Sequence, residues 1–258
     1  MNHKAELPRL NGNALKIIAC IIMLIDHIGA AVIYPLTDAG ILPINMSFGQ
    51  LNAIYRIIRA VGRSAFPIFC FLLVEGFIHT HSRLKYALSL LIFGIISELP
   101  YDYSMSGGIN HLSNNVFFTL FIGLLVISAI EFINNYAVKK ELHFIIAPLL
   151  SGCITVIGAL IAYYFNLDYS YRGVALIAVF YLFRFYTPYN LVIGYLIFLL
   201  GENGILSFPA FLLMYLYNRK RGKKLGRLKY LFYIFYPAHL LLLYGIQLYL
   251  IDKLSQNL

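Results

Sequence analysis

Apolar residues run along this chain in long blocks separated by short polar breaks. A helix needs about 20 residues to cross a hydrocarbon core about 30 Å thick. Nine blocks approach that length: 14–35, 64–80, 86–100, 115–134, 143–164, 171–186, 188–201, 204–218 and 230–251. The boundary between the sixth and seventh rests on "RFYTPYN", where Pro188 breaks the helix. The widest gap, 36–63, is too short for a soluble domain, so residues 1–258 read as one integral-membrane domain. Within that gap "QLNAIYRIIRAVGR" sets Ile54, Ile57, Ile58 and Val61 on one side and Arg56, Arg59 and Arg63 on others, the pattern of an interfacial helix. The first apolar block is followed by many more and carries an Asp-His pair, so it reads as a retained span and not a secretion signal. The predicted fold is an all-α, polytopic transmembrane bundle of about nine spans (8–10), with a short interfacial helix after the first.

Composition agrees with this. Of 258 residues, 60% are apolar and 12% charged, against about half and a quarter in soluble domains. Aromatics are 21 Tyr and 20 Phe, suited to interface belts and lipid-facing packing. Cys20, Cys70 and Cys153 lie in apolar runs without metal-type spacing, so neither a disulfide framework nor a metal site is expected.

Charge then orients the bundle. With the N-terminus inside, the segments 1–16, 81–85, 135–142, 184–187 and 219–229 are cytoplasmic and hold 15 of the 20 Lys and Arg, Lys4 and Arg9 among them. The positive-inside rule therefore predicts N-terminus in and C-terminus out, in a bacterial plasma membrane. The net charge of +9 follows from this bias and does not call for nucleic acid. The basic segment 219–229 is suited to anionic lipid head groups or to a phosphorylated cytosolic ligand.

Ionisable residues inside the apolar blocks are the candidate chemistry, because such groups are costly in lipid and gather around bundle interiors or wet cavities. Counted at about 1.5 Å per residue, Asp26 and His27 lie ~16–18 Å into the first span, and His239 in "FYPAHLLLLY" lies ~14 Å into the last. Two histidines and a carboxylate from opposite ends of the chain share one depth. Neighbouring helical positions point about 100° apart, so Asp26 and His27 cannot face one point. Glu75 in "FLLVEGF", Glu98 in "IISELPYD", and Arg59 and Arg63 at the outer mouth of the second span are the other polar intrusions. Histidine can act as a general base near neutral pH, and acyl transfer needs such a base together with a donor for the developing oxyanion. A proton- or metal-coupled transporter would use similar residues, although no clear internal repeat supports one. A scaffold whose charges only hold helices together is a third reading. Phosphate-loop, hydrolase-elbow and zinc-protease motifs are absent.

The stretches "LKIIACIIMLIDHIG", "RAVGRSAFPIFCFLLVEGFIHT", "FGIISELPYDY", "NNVFFTLFIGLLVI", "DYSYRGVALIAVFYLF" and "YLFYIFYPAHLLLLYGI" together resemble the TraX family of integral membrane proteins, in the family's order and over most of the chain. The named member of that family is linked to N-terminal acetylation of conjugative pilin. More distantly, the pattern looks like membrane acyltransferases that carry acetyl from cytosolic acetyl-CoA across the bilayer. The resemblance implies that Asp26, His27, Arg63, Glu75, Glu98 and His239 occupy motif positions. The expected activity is transfer of acetyl from acetyl-CoA, with no metal, to an amine or hydroxyl on a protein N-terminus, an amino sugar or a small molecule. The base is His27, with Asp26 as orienter or inter-helix anchor, or else His239. Arg59, Arg63, Arg83 and Lys85 are the expected substrate-binding cations, with "HTHSRLK" and "RKRGKKLGRLK" attracting the phosphates of the donor.

Overall fold

Backbone polar groups inside lipid must be satisfied within their own segment, which leaves helices as the form open to such apolar blocks. The computed structural model describes residues 10–41, 46–199, 204–224 and 226–256. Among these the chain is helical, with two isolated backbone bridges and no strand. Lys4, Arg9 and the end of the expected seventh block at 200–201 lie outside the described residues.

Helix α1 (Gly12–Ile28) starts at Asn11, whose side chain accepts the Ala14 N–H at 3.0 Å. It runs through one π-type turn (Gly29–Ile33) into α2 (Tyr34–Asp38). Helix α3 (Phe48–Gly62) starts from a capping box in which Ser47 and Gln50 satisfy each other's backbone amides. A break at Arg63 and Ser64 separates it from α4 (Ala65–His79). There follow α5 (Arg83–Ser106), α6 (Val116–Lys139), α7 (Ile146–Tyr164), α8 (Ser170–Leu182), α9 (Tyr189–Leu199), α10 (Phe208–Tyr215) and α11 (Leu231–Ser255).

Six of these stretches are long and apolar enough to cross a membrane: 12–38, 48–79, 83–106, 116–139, 146–164 and 231–254. Of the nine expected spans, the three between 170 and 215 are shorter apolar helices of 10–17 residues. The chain there is cut by Pro188, which follows a cis peptide bond, and by a 3₁₀ turn at Gly204–Ser207. The helix expected at the interface after the first span is present as α3, but α3 and α4 form one apolar stretch and α3 packs along α1. Its buried residues are Leu51, Ala60 and Gly62, and the two small ones let the backbones approach near Asp26.

Helix α4 sits in the middle, against α1, α6, α8 and α10, and the buried core forms around it from Phe66, Ile68, Leu73, Phe77, Ile177 and Phe180. Helix α11 closes the bundle against α5 and against the π-type turn after α1. The two ends of the bundle differ. At the end carrying the start of α1, the segment 216–223 is strapped to that start. Leu10 N–H donates to Leu216 C=O, Gly12 N–H to Lys220 C=O (both 2.9 Å) and Asn13 Nδ2 to Lys223 C=O (2.8 Å). This basic end also carries His79, His81 and Lys85. At the opposite end, Asn114 ties the start of α6 to the 165–168 loop, donating its backbone amide to Asn166 C=O at 3.0 Å and accepting from the Asp168 amide at 2.9 Å.

Gly62 presses directly on Asp26, and a Cβ there would overlap its backbone as well as its side chain. Gly62→Ala is therefore expected to lower stability by about 1–3 kcal/mol, seen as a lower midpoint of thermal unfolding by circular dichroism in detergent. Gly152→Ala in α7, where a Cβ meets open space, should leave the midpoint unchanged or slightly higher.

Candidate functional site

The "MLIDHIG" stretch lies on α1 just before the π-type turn. Successive side chains on a helix diverge, and here they serve two neighbours. Asp26 turns to α3, where its Oδ2 accepts a hydrogen bond from Arg59 Nη1 at 2.6 Å, in an ion pair whose side chains are 8% and 19% exposed. Asp26 is thus an inter-helix anchor and does not orient His27. His27 turns to α11. The π-type turn that follows is a geometry that recurs at functional sites.

His27 Nδ1 lies 2.6 Å from His239 Nε2, and His239 Nδ1 lies 2.5 Å from the carbonyl oxygen of Phe235. A carbonyl only accepts, so in the neutral pair His239 Nδ1 carries the proton and His239 Nε2 carries the lone pair. His27 Nδ1–H then donates to it, and His27 Nε2 is left as the basic nitrogen. The chain of bonds distinguishes the two histidines: His239 holds, His27 is free to take a proton. Tyr236 stands edge-on to both imidazoles, with ring centroids 5.7 Å from each, and its buried hydroxyl meets no hydrogen-bond acceptor among the described residues.

One cavity reaches His27, and a second, from the opposite end, reaches Tyr236. The one away from the basic end has a volume of about 390 Å³ and is lined by Asp26, His27, Arg59, Arg63, Asp168 and Arg172, with aromatic rings between them. Phe66 stacks on Tyr169 at this level, centroids 3.7 Å apart. The loop that carries Asp168 and Tyr169 is strained: Asn166, Tyr169 and Ser170 all have left-handed backbones, φ 48°, 60° and 47°. Such strain persists where surrounding bonds over-determine it; here the Thr119 hydroxyl on Asp168 C=O and the Asn114 bridge do so.

The second cavity, about 510 Å³, opens at the basic end among Lys16, His79, His81, Lys85 and Arg221. Its apolar walls include Phe69, Leu72 and Phe117, and Tyr236 also lines it. Glu75 lies on this wall, where its Oε2 accepts from the Tyr217 hydroxyl at 3.0 Å and faces His79 Nε2 at 3.9 Å. Tyr236 is therefore the partition between this cavity and the histidine pair.

The structure brings together Asp26, His27, Arg59 and Arg63 around the first cavity, with His239 behind His27. It sets Glu75 and Lys85 in the second. Glu98 and Arg83 line neither. Glu98 accepts from the Asn115 backbone amide at 3.2 Å and from its side chain, while Asn115 caps α6 and also donates to Gly94 C=O. Glu98 so fixes α6 on α5. Arg83 pairs with Glu131 and lies over the Phe77 ring at 4.4 Å, fixing the start of α5 on α6 and α4. Sequence reasoning missed Asp168, Tyr169, Arg172 and Tyr236 as lining groups. The signal for the first three was the "DYSYRG" run of polar residues opening an apolar block; for Tyr236 it was a phenol three positions before His239, hence on nearly the same helix face.

A helical membrane protein with a buried histidine pair between two opposed cavities is the class defined so far. Within it, the chain belongs to the TraX protein family, which matches residues 11–247. It is 29% identical over 250 residues to a probable fimbrial assembly protein, FimC of serogroup H1, from Dichelobacter nodosus, a similarity covering 92% of this chain and 95% of that protein. No solved structure matches the chain.

Removing one partner of a buried ion pair strands the other charge. Arg59→Ala is accordingly expected to cost about 3 kcal/mol of stability, and adding Asp26→Asn to that variant should recover most of the loss. Thermal unfolding of the three proteins in detergent reads both steps.

Proposed function

We propose that this protein is a membrane acyltransferase that receives acetyl from acetyl-CoA at its basic end and passes it to an acceptor bound in the opposite cavity. The observation that carries this reading is a pair of cavities on either side of one spot: one is lined by His27, and the other, basic at its mouth, is lined by Tyr236, whose ring stands 5.7 Å from both imidazoles. In a plasma membrane the basic end faces the cytoplasm by the positive-inside rule, with the N-terminus in and the C-terminus out. That sets the second cavity where acetyl-CoA is found. Lys16, Lys85 and Arg221 would hold the donor's phosphates, and the apolar walls would take its thioester arm toward Tyr236.

The chemistry then follows from the groups present. The acceptor, an amine or hydroxyl, loses a proton to His27 Nε2 as it attacks the thioester carbonyl. The new bond to the acyl carbon forms, the carbon–sulfur bond breaks, and the proton passes from His27 to the departing thiolate. His239 holds His27 in the needed tautomer and shares the charge of the imidazolium. The Tyr236 hydroxyl, with a proton to give, donates to the oxyanion at the stage when that charge develops. No metal is required by this scheme. The fimbrial assembly protein related to this chain favours a role in surface-fibre assembly, with the acceptor on an exported subunit or on a molecule that serves its assembly.

His27→Ala is expected to abolish release of CoA by the purified protein, while acetyl-CoA still raises its thermal midpoint. His239→Ala should lower the rate by about a hundredfold or more. Tyr236→Phe should lower kcat by about ten- to a hundredfold with little change in donor KM. Turnover unaffected by His27→Ala, or no shift with acetyl-CoA in the unaltered protein, would discard the assignment.

A further inference from the structure

Glu75 is a carboxylate in a cavity whose mouth is basic, and the transfer chemistry makes no use of it. A negative charge there repels the anion that the mouth attracts, so any help it gives the donor comes through what it holds. Its Oε2 accepts from the Tyr217 hydroxyl at 3.0 Å, across 142 positions of sequence. The Tyr217 ring also meets Phe71 edge-on, with centroids 5.4 Å apart, so Tyr217 is docked on α4 by ring and hydroxyl alike. Tyr217 stands near the start of the strap 216–223, whose backbone follows the start of α1. Asn218 N–H donates to Leu10 C=O at 2.9 Å, and Asn13 N–H to Arg221 C=O at 3.1 Å. Arg219 and Gly222 have left-handed backbones, φ 57° and 87°, and bracket the turn that carries Lys220 and Arg221. Arg221 is exposed and lines the cavity together with Lys16 of α1. Main-chain bonds thus tie the strap to α1, and Tyr217 ties it to α4; both helices line this cavity.

We propose that Glu75 is a positioning residue for the donor: by fixing Tyr217 it sets the strap so that Arg221 stands with Lys16 over the phosphates of acetyl-CoA. This rests on the transfer reading above and gives a part in it to a carboxylate remote from the acyl group. The site needs an acceptor at position 75 and not a charge. Glutamine there still accepts from the Tyr217 hydroxyl through its amide oxygen, and it sets no charge against the phosphates. Alanine cannot accept and leaves the phenol without this partner. A residue acting by its charge, as a proton relay or as counter-ion to His79, would lose as much with glutamine as with alanine.

The test is isothermal titration calorimetry on the purified full chain in detergent, with CoA and with pantetheine, which has the same thiol arm and no phosphate. Glu75→Ala is expected to raise the Kd for CoA about tenfold, and Tyr217→Phe, which keeps the charge and loses the bond, by at least as much. Neither should move the Kd for pantetheine, a selectivity that a general loosening of the fold would not produce. Glu75→Gln should bind CoA as tightly as the unaltered protein or more tightly. The double variant Glu75→Ala with Tyr217→Phe should be no weaker than the weaker single one, as for two halves of one bond. Arg221→Gln should weaken CoA binding in the same way, and adding Glu75→Ala to it should cost little more. Equal loss with glutamine and alanine, equal loss for the two ligands, or unchanged CoA binding by Glu75→Ala and Tyr217→Phe overturns the proposal and leaves donor binding and acyl transfer standing. An unaltered protein that binds no CoA removes the transfer reading, and the proposal with it. If Glu75→Ala does not fold, Tyr217→Phe and Glu75→Gln carry the test.

Discussion

A hydrogen bond between two imidazoles 212 positions apart fixes this molecule, because it defines which helices must be neighbours. Once His27 meets His239, α1 and α11 are side by side, and the helices between them must loop out and return. That loop is what surrounds α4 and leaves room on both sides of the histidine pair. Asp26, one position earlier on the same helix, settles the remaining freedom of α1 by holding α3 through Arg59. Two adjacent polar residues thus fix α1 in two directions, a division that follows from the helical rotation between neighbours. Lipid makes both contacts strict, since each group has no water to fall back on.

Much of this was legible in the chain. Apolar block lengths located the helices, and depth counting placed His27 and His239 at one level without any knowledge of their packing. The run from 170 to 215 was less legible, because block length alone does not distinguish a full crossing from a shorter apolar helix buried among others. The relation of α3 to α1 was also hidden. Hydropathy marks Ile54 and Ile57 as the apolar side of α3, yet the helix turns Ala60 and Gly62 inward, and small residues carry almost no hydropathic signal.

The site was partly legible for a similar reason. A charge inside an apolar block announces itself, which is why Asp26, His27, Glu75 and Glu98 stood out equally. What each does depends on which helix lies opposite. Glu98 meets a capping asparagine and becomes structural, whereas Asp26 and His27 border open space. Asp168 and Arg172 were overlooked because they stand at the edge of a block, where polar residues are expected anyway. The loop geometry that turns them inward rests on left-handed residues and on Asn114, which no periodicity reveals.

The strap between residues 216–223 and the start of α1 bears on how such a chain comes into being. Synthesis delivers α1 to the membrane first and α11 last, so the first helix enters the bilayer with its imidazole partner not yet made. Its aspartate is answered early, by an arginine emitted some thirty residues later, but His27 and the backbone amides of Gly12 and Asn13 must wait for nearly the whole chain. Until then α1 is an incompletely satisfied helix that has reason to stay near the insertion machinery. The histidine pair is among the last contacts to be assembled, so a partly inserted chain holds only half of it.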